Sequence, residues 1–202
     1  MIYIRLATLG VALLLLISCA KKPQIEIDLA NAAIEGAKVA GALDYYPEDF
    51  TALVDSMNSV NSILETETLH MFPDYRQAKE NLANIVTFAS EIETKSINKK
   101  EELKSQIKLT FEEVMTMMVE SNKLMEGLQE KKESAADLVD IKKELTNLET
   151  SVTEANSLME KGDYLTTMSQ AKTIKEKAST LNSDLKQIVS GNKTVVNTAK
   201  KS

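Results

Sequence analysis

The sequence is short of nearly everything that bridges, turns or reacts. It has one cysteine, so no disulfide can form within the chain. It has no tryptophan, aromatics make up 4%, and there are only 3 prolines and 6 glycines. A chain so poor in aromatics and turn residues is a poor candidate for sheets and hairpin turns. Basic residues are not in excess: the formal net charge is -6. That argues against nucleic acid as a partner, because a phosphate backbone calls for a basic face. What is abundant is alanine, leucine, lysine and glutamate, the residues that favour helix.

Apolar residues concentrate at the start. Leu6 to Ile17 is apolar or small throughout and follows Arg5. The run is too short to cross a bilayer of about 30 Å, which needs roughly 20 apolar residues. A basic start, a short apolar core and the small Ser18 describe a secretory signal peptide. Cys19 comes next. Leu16-Ile17-Ser18-Cys19 resembles the lipobox of bacterial lipoproteins, with a leucine three before the cysteine and a small residue beside it. Ile17 stands where the strict pattern has another small residue. The resemblance implies that Cys19 is alkylated by diacylglycerol, that the chain is cut between Ser18 and Cys19, and that the new amine is acylated, for example by palmitate. Each buried methylene contributes about 0.8 kcal/mol, so two or three chains anchor permanently where one does so marginally. The membrane, reached through lipid on Cys19, is the first expected partner. An aspartate after the cysteine is the usual inner-membrane retention signal. Ala20 stands there, followed by Lys21 and Lys22. That implies the outer membrane, facing the periplasm or the outside. Loss of the signal removes Arg5 and takes the net charge from -6 to -7.

Downstream, apolar positions recur in alternating steps of three and four, the mark of one buried stripe per helix. The first stripe is Ile27, Ala30, Ile34, Ala37 and Gly41. Pro47 opens a second helix, with Glu48 and Asp49 complementing its positive end. Its stripe is Phe50, Leu53, Met57, Val60 and Leu64. Pro73 repeats the punctuation before a third stripe: Tyr75, Ala78, Leu82, Ile85, Ala89 and Ile92. Around Thr94–Glu102 the stripe fades. Either Asn98 and Glu101 restart a helix as a capping box, or the helix runs on with a solvated turn. A fourth stripe follows: Ile107, Phe111, Val114, Met118, Ser121, Met125 and Leu128. Ser134, with Asp137 three later, reads as the N-cap of a fifth helix. Its stripe is Leu138, Ile141, Leu145, Leu148, Val152, Ala155 and Met159, and Gly162 closes it. The sixth stripe is Thr167, Ala171, Ile174, Ala178, Leu181, Leu185 and Ile188.

Two segments align on Asp74-Tyr75 and Asp163-Tyr164, with stripe positions at plus 3, 7, 10, 14 and 17 from each tyrosine. The unit is a helical hairpin whose second helix opens on Asp-Tyr, and it occurs twice. Residues 28–95 also resemble an uncharacterised helical domain of bacterial envelope lipoproteins. The matching features are the alanine-rich Ala32–Ala42, the Tyr45-Tyr46-Pro47-Glu48 entry, and Asp74-Tyr75 with Ala78. The departure is a longer joint, Glu65 to Pro73. The resemblance implies an envelope location and a helical fold, and it supplies no activity. The expected organisation is therefore a signal peptide over 1–18, a lipidated anchor and short tether over 19–27, a first helical-hairpin unit over 28–95, a second helical region with the repeated hairpin over 99–190, and a frayed tail over 191–202. The expected fold class is all-α, with antiparallel amphipathic hairpins forming an elongated bundle or coiled coil.

No set of side chains suggests catalysis. Glu67 and His70 have the Glu-x-x-His spacing of carboxylate di-iron bundles, but those need two such pairs and His70 is the only histidine. It reads as a surface loop residue. Met115, Met117, Met118 and Met125 carry soft thioethers that suit Cu(I), yet Met118 and Met125 fall on the buried stripe, where methionine fills gaps. Glu112 and Glu113 are neighbours on a helix and point apart. No cofactor or metal is expected. The sequence points to a non-enzymatic, lipid-anchored envelope protein acting as a scaffold, spacer or adaptor for an envelope protein partner. The alternative is a ligand-binding lipoprotein with a groove between helices for a small apolar molecule or peptide. Close packing at Ala78, Ala83, Ala89 and Ala171 would leave no room for such a groove.

Overall fold

The alternating steps become six helices among the described residues, with no strand. The structure is a computed structural model that describes residues 21–130 and 135–191, with the backbone alone at 130 and 135–138. The helices are α1 (Gln24–Val39), α2 (Ala42–Tyr45), α3 (Pro47–Thr68), α4 (Arg76–Glu130), α5 (Ala135–Glu160) and α6 (Tyr164–Val189). They form two units that divide after Lys99, so α4 supplies residues to both.

The first unit packs α1, α2, α3 and the first part of α4. Its core joins Ile27, Ala30 and Ala37 to Phe50, Leu53, Met57, Val60 and Leu64, and to Tyr75, Ala78, Leu82, Ile85, Ala89 and Ile92. These are the three expected stripes with two changes. Ile34 is half-buried at the core's edge. Gly41, which the periodicity puts on the stripe, stands beyond the end of α1 at φ 97°. Only glycine takes that left-handed conformation without steric cost. It turns the chain into α2, and fully buried Ala42 closes the core instead. Pro47 and the carboxylates of Glu48 and Asp49 occupy the first turn of α3.

Cross-helix contacts fix the directions. Asp49, at the start of α3, pairs with Lys95 far along α4, so those two helices run antiparallel. Glu26, in the first turn of α1, pairs at 3.0 Å with Lys79 in the first turn of α4. Gly36, further along α1, lies beside the Glu93 carboxylate of α4. The unit therefore runs up, down and up, with the start of α1 and the α3–α4 joint at one end. Leu53, Leu64, Leu82 and Ile92 are under 2% exposed. Each such burial contributes about 1.5–3 kcal/mol.

The second unit packs the rest of α4 with α5 and α6. Its core holds Ile107, Phe111, Val114, Met118, Met125 and Leu128 against Ile141, Leu145, Leu148 and Ala155, and against Ala171, Ile174, Ala178, Leu181, Leu185 and Ile188. Glu113 pairs with Lys175, and Glu120 with Lys186 at 2.9 Å. The partners advance together, so α4 and α6 run parallel with α5 returning between their ends. Asn182, buried but off the expected stripe, donates its amide at 3.1 Å to the Met117 carbonyl and at 3.1 Å to Ser121 Oγ.

The α4 helix does not restart at Asn98. Its buried stripe passes through Ser96 and Leu103. Ser96 is fully buried because its hydroxyl donates to the Ile92 carbonyl at 2.8 Å within the same helix. A polar residue thus holds a core position with its hydrogen bond satisfied. Ser134, the side chains of Asp137 and Leu138, and the tail beyond Gly191 lie outside the described residues.

Candidate functional site

The two hairpin joints make the same reversal by different means. Between α5 and α6 the chain turns on Lys161, Gly162 and Asp163. Gly162 sits at φ 84°, its N–H donates to the Met159 carbonyl, and the Asp163 N–H donates to the Leu158 carbonyl. That pair of bonds is a Schellman closure, which needs only a residue tolerant of positive φ. Asp163 then caps α6, its carboxylate accepting the Thr166 N–H at 3.1 Å.

The α3–α4 joint is longer and is held by side chains. Glu67 Oε2 accepts the Asp74 N–H at 2.8 Å and lies 3.3 Å from His70 Nδ1. Thr68 Oγ1 meets the Tyr75 hydroxyl at 3.3 Å. Asp74 accepts the Arg76 N–H at 3.1 Å and takes the Arg76 guanidinium on both oxygens. Those hydrogen bonds from Arg76 hold the Asp74 carboxyl down at about 2, from an ordinary 3.8, and push Arg76 up. With the backbone pinned this way, Leu69, Met71 and Phe72 point outward, at 86%, 88% and 80% exposure. Periodicity could not single them out, since it speaks of buried positions. The available signal is a run of large apolar residues between two helix-punctuating features.

The sequence-predicted residues distribute as follows. Leu16, Ile17, Ser18 and Cys19 lie outside the described residues. His70 is exposed in the joint, and Glu67 is engaged in closing it. Met118 and Met125 are in the second core with Met117 against it, while Met115 faces outward. Glu113 is paired with Lys175 across helices, and both Glu112 and Glu113 are exposed. Among the described residues no three His, Cys, Asp or Glu side chains gather as metal ligands would. Nor is any described helix long and apolar enough to cross a membrane. Tyr75 is buried, but Tyr164 is only half-buried and carries the Lys104 ammonium 5.3 Å above its ring.

Ala78, Ala89 and Ala171 are fully buried between helices, whereas Ala83 is exposed. A groove of about 530 Å³ runs between α3 and α4 in the first unit. Asp55, Ser56, Ser59, Asn81 and Asn84 line it together with Val60, Ile85 and Phe88. No known family, curated protein or solved structure matches the chain.

Proposed function

We propose that the chain is a lipid-anchored, non-enzymatic envelope protein that works through its helical surfaces, as a scaffold, spacer or adaptor for another envelope component. The observation that carries this is the placement of the lone cysteine. Cys19 ends the apolar run, follows Leu16-Ile17-Ser18, and precedes the first helix at Gln24 by five residues. A lipid there tethers the folded part on a short leash without entering either core. Ala20 after the cysteine favours the outer membrane. The mixed charge of the exposed helix faces suits protein contacts better than nucleic acid.

Replacing Cys19 by Ala tests the anchor. The variant is expected to leave the membrane pellet on a salt wash and to keep its helical circular dichroism. Retention in the pellet would sink the lipoprotein reading. Cross-linking and capture of the anchored protein from its native envelope tests the adaptor role. A recurrent protein partner is expected, and a bound small molecule without one would replace the scaffold with the second reading.

The second reading, a binding lipoprotein, would have to use the open groove between α3 and α4, since Ala78, Ala89 and Ala171 pack helix on helix. The groove's rim of serines and asparagines over Val60, Ile85 and Phe88 fits a peptide better than a wholly apolar molecule.

A further inference from the structure

The apolar side chains of the α3–α4 joint are not needed to make the turn. The α5–α6 joint reverses the chain with Lys161-Gly162-Asp163 and no apolar residue among the three. At the α3–α4 joint, Glu67, Thr68, Asp74 and Arg76 do the closing. Leu69 contributes only its backbone N–H, which donates to the Thr66 carbonyl, and the side chains of Leu69, Met71 and Phe72 stand 80–88% exposed. Large apolar residues grouped this way on a pinned turn mark a contact surface, where scattered ones would not.

The position of the joint identifies what it touches. The Glu26–Lys79 pair puts the first turn of α1 beside the first turn of α4. The chain therefore enters the first unit at the same end as the joint. Ile25, 74% exposed in that first turn of α1, belongs to this end too, and Lys21 and Lys22 before it are exposed. The five residue-to-residue steps from Cys19 to Gln24 span at most ~18 Å when fully extended. A lipid on Cys19 would hold this end, and not the opposite one, against the bilayer.

We propose that Leu69, Met71 and Phe72 form a membrane-contacting tip that inserts into the interfacial layer of the bilayer to which Cys19 is anchored. The proposal rests on the lipid-anchored reading and deepens it. The anchor fixes distance, and the tip fixes orientation, because two separate attachments at one end stop the first unit from swinging on its tether. Apolar side chains supply the insertion, and lysines at the chain's entry suit the headgroup region.

The absence of tryptophan makes the test direct. Full-length lipidated protein carrying Phe72→Trp is reconstituted into phosphatidylcholine vesicles with brominated acyl chains. Val39→Trp, exposed near the opposite end of the unit, is the control. Vesicle flotation and circular dichroism are measured on the same samples. Both variants are expected to float with parental helicity. Emission of Phe72→Trp should shift to the blue and be quenched about twofold or more, as a ring ~5–10 Å into the interface requires. Val39→Trp should not be quenched. Adding Leu69→Ser and Met71→Ser to Phe72→Trp should abolish the quenching while flotation persists. If both single variants float and Phe72→Trp emits like Val39→Trp, the anchor stands and the tip proposal fails. If neither floats, the anchored reading fails and takes the tip with it. A blue shift that grows with protein concentration in the absence of lipid assigns the joint to a second copy of the chain and overturns the proposal.

Discussion

Tyr75 and Tyr164 occupy matching places in the sequence and unequal places in the fold. Both follow an aspartate and open a stripe, which predicts two rings covering two hairpin ends. Tyr75 meets that expectation at 6% exposure, with its hydroxyl at Thr68. Tyr164 lies half-open under the Lys104 ammonium, so part of its worth is a cation–π contact, about 0.5–1 kcal/mol at an exposed site. Truncating a large buried aromatic costs about 3–5 kcal/mol. Tyr75→Ala is therefore expected to approach that range in urea unfolding, and Tyr164→Ala to cost clearly less. Equal losses would mean that Tyr164 is as buried as Tyr75. The aspartates differ as well. Asp163 caps its helix through Thr166, while Asp74 spends its carboxylate on Arg76, one residue past the tyrosine. Sequence placed both aspartates at a helix start, but it could not show which donor each would choose. Asn182 was illegible for a related reason: its partners, Met117 and Ser121, lie more than sixty residues away.

At the scale of the element, the stripes were readable because each buried residue recurs at helical spacing. Every expected stripe residue of α3 and of the described part of α4 is buried. The continuity of α4 was not readable. Ser96 looks like a gap in an apolar pattern, and only its bond to Ile92 turns it into a core residue. Gly41 misled in the opposite sense, fitting the period while its backbone ended the helix. Continuity has a measurable consequence at Asn98, an exposed residue beside the division between units. Proline inside a helix removes one backbone bond and clashes with the preceding turn, at a cost of about 3 kcal/mol or more. Asn98→Pro is expected to destabilise the chain by that order in chemical unfolding. A restarted helix would accept proline near its first turn at little cost, so a silent substitution would contradict the unbroken α4.

Exposed ion pairs link helices within each unit, and their signs set the response to acid. Lys79 holds Glu26 below the ordinary 4.5, Lys186 does the same for Glu120, and Arg76 holds Asp74 below 3.8. A carboxylate with a depressed value stabilises the fold above its unfolded value, and that stability is lost as pH falls through the folded one. Glu144 is opposite: partial loss of water around an exposed side chain, then the Asp184 and Asp140 carboxylates, push it up. It contributes stability in acid, below its ordinary 4.5, which is lost as pH rises through its raised value. Three carboxylates are held down and one is pushed up, so the melting temperature is expected to decline below pH 4.5. The decline should be shallow, because exposed pairs are screened by water and salt. Glu144→Gln should raise the melting temperature slightly at neutral pH and leave it unchanged in strong acid. A thermal scan across pH checks both, and a rise in stability toward acid would reverse the assignment.

The sharing of α4 between the two units bears on how the chain folds. Starting a helix is costly and extending one is cheap. A single 55-residue helix therefore meets the initiation cost once for two cores. Within each unit contacts join sequence neighbours and also reach from α1 to α4 and from α4 to α6, but every element is a helix, and helical bundles typically fold in microseconds to milliseconds. Whichever core closes first supplies the other with a helix already under way, so the kinetics of the two units are coupled through a stretch of backbone that belongs to both.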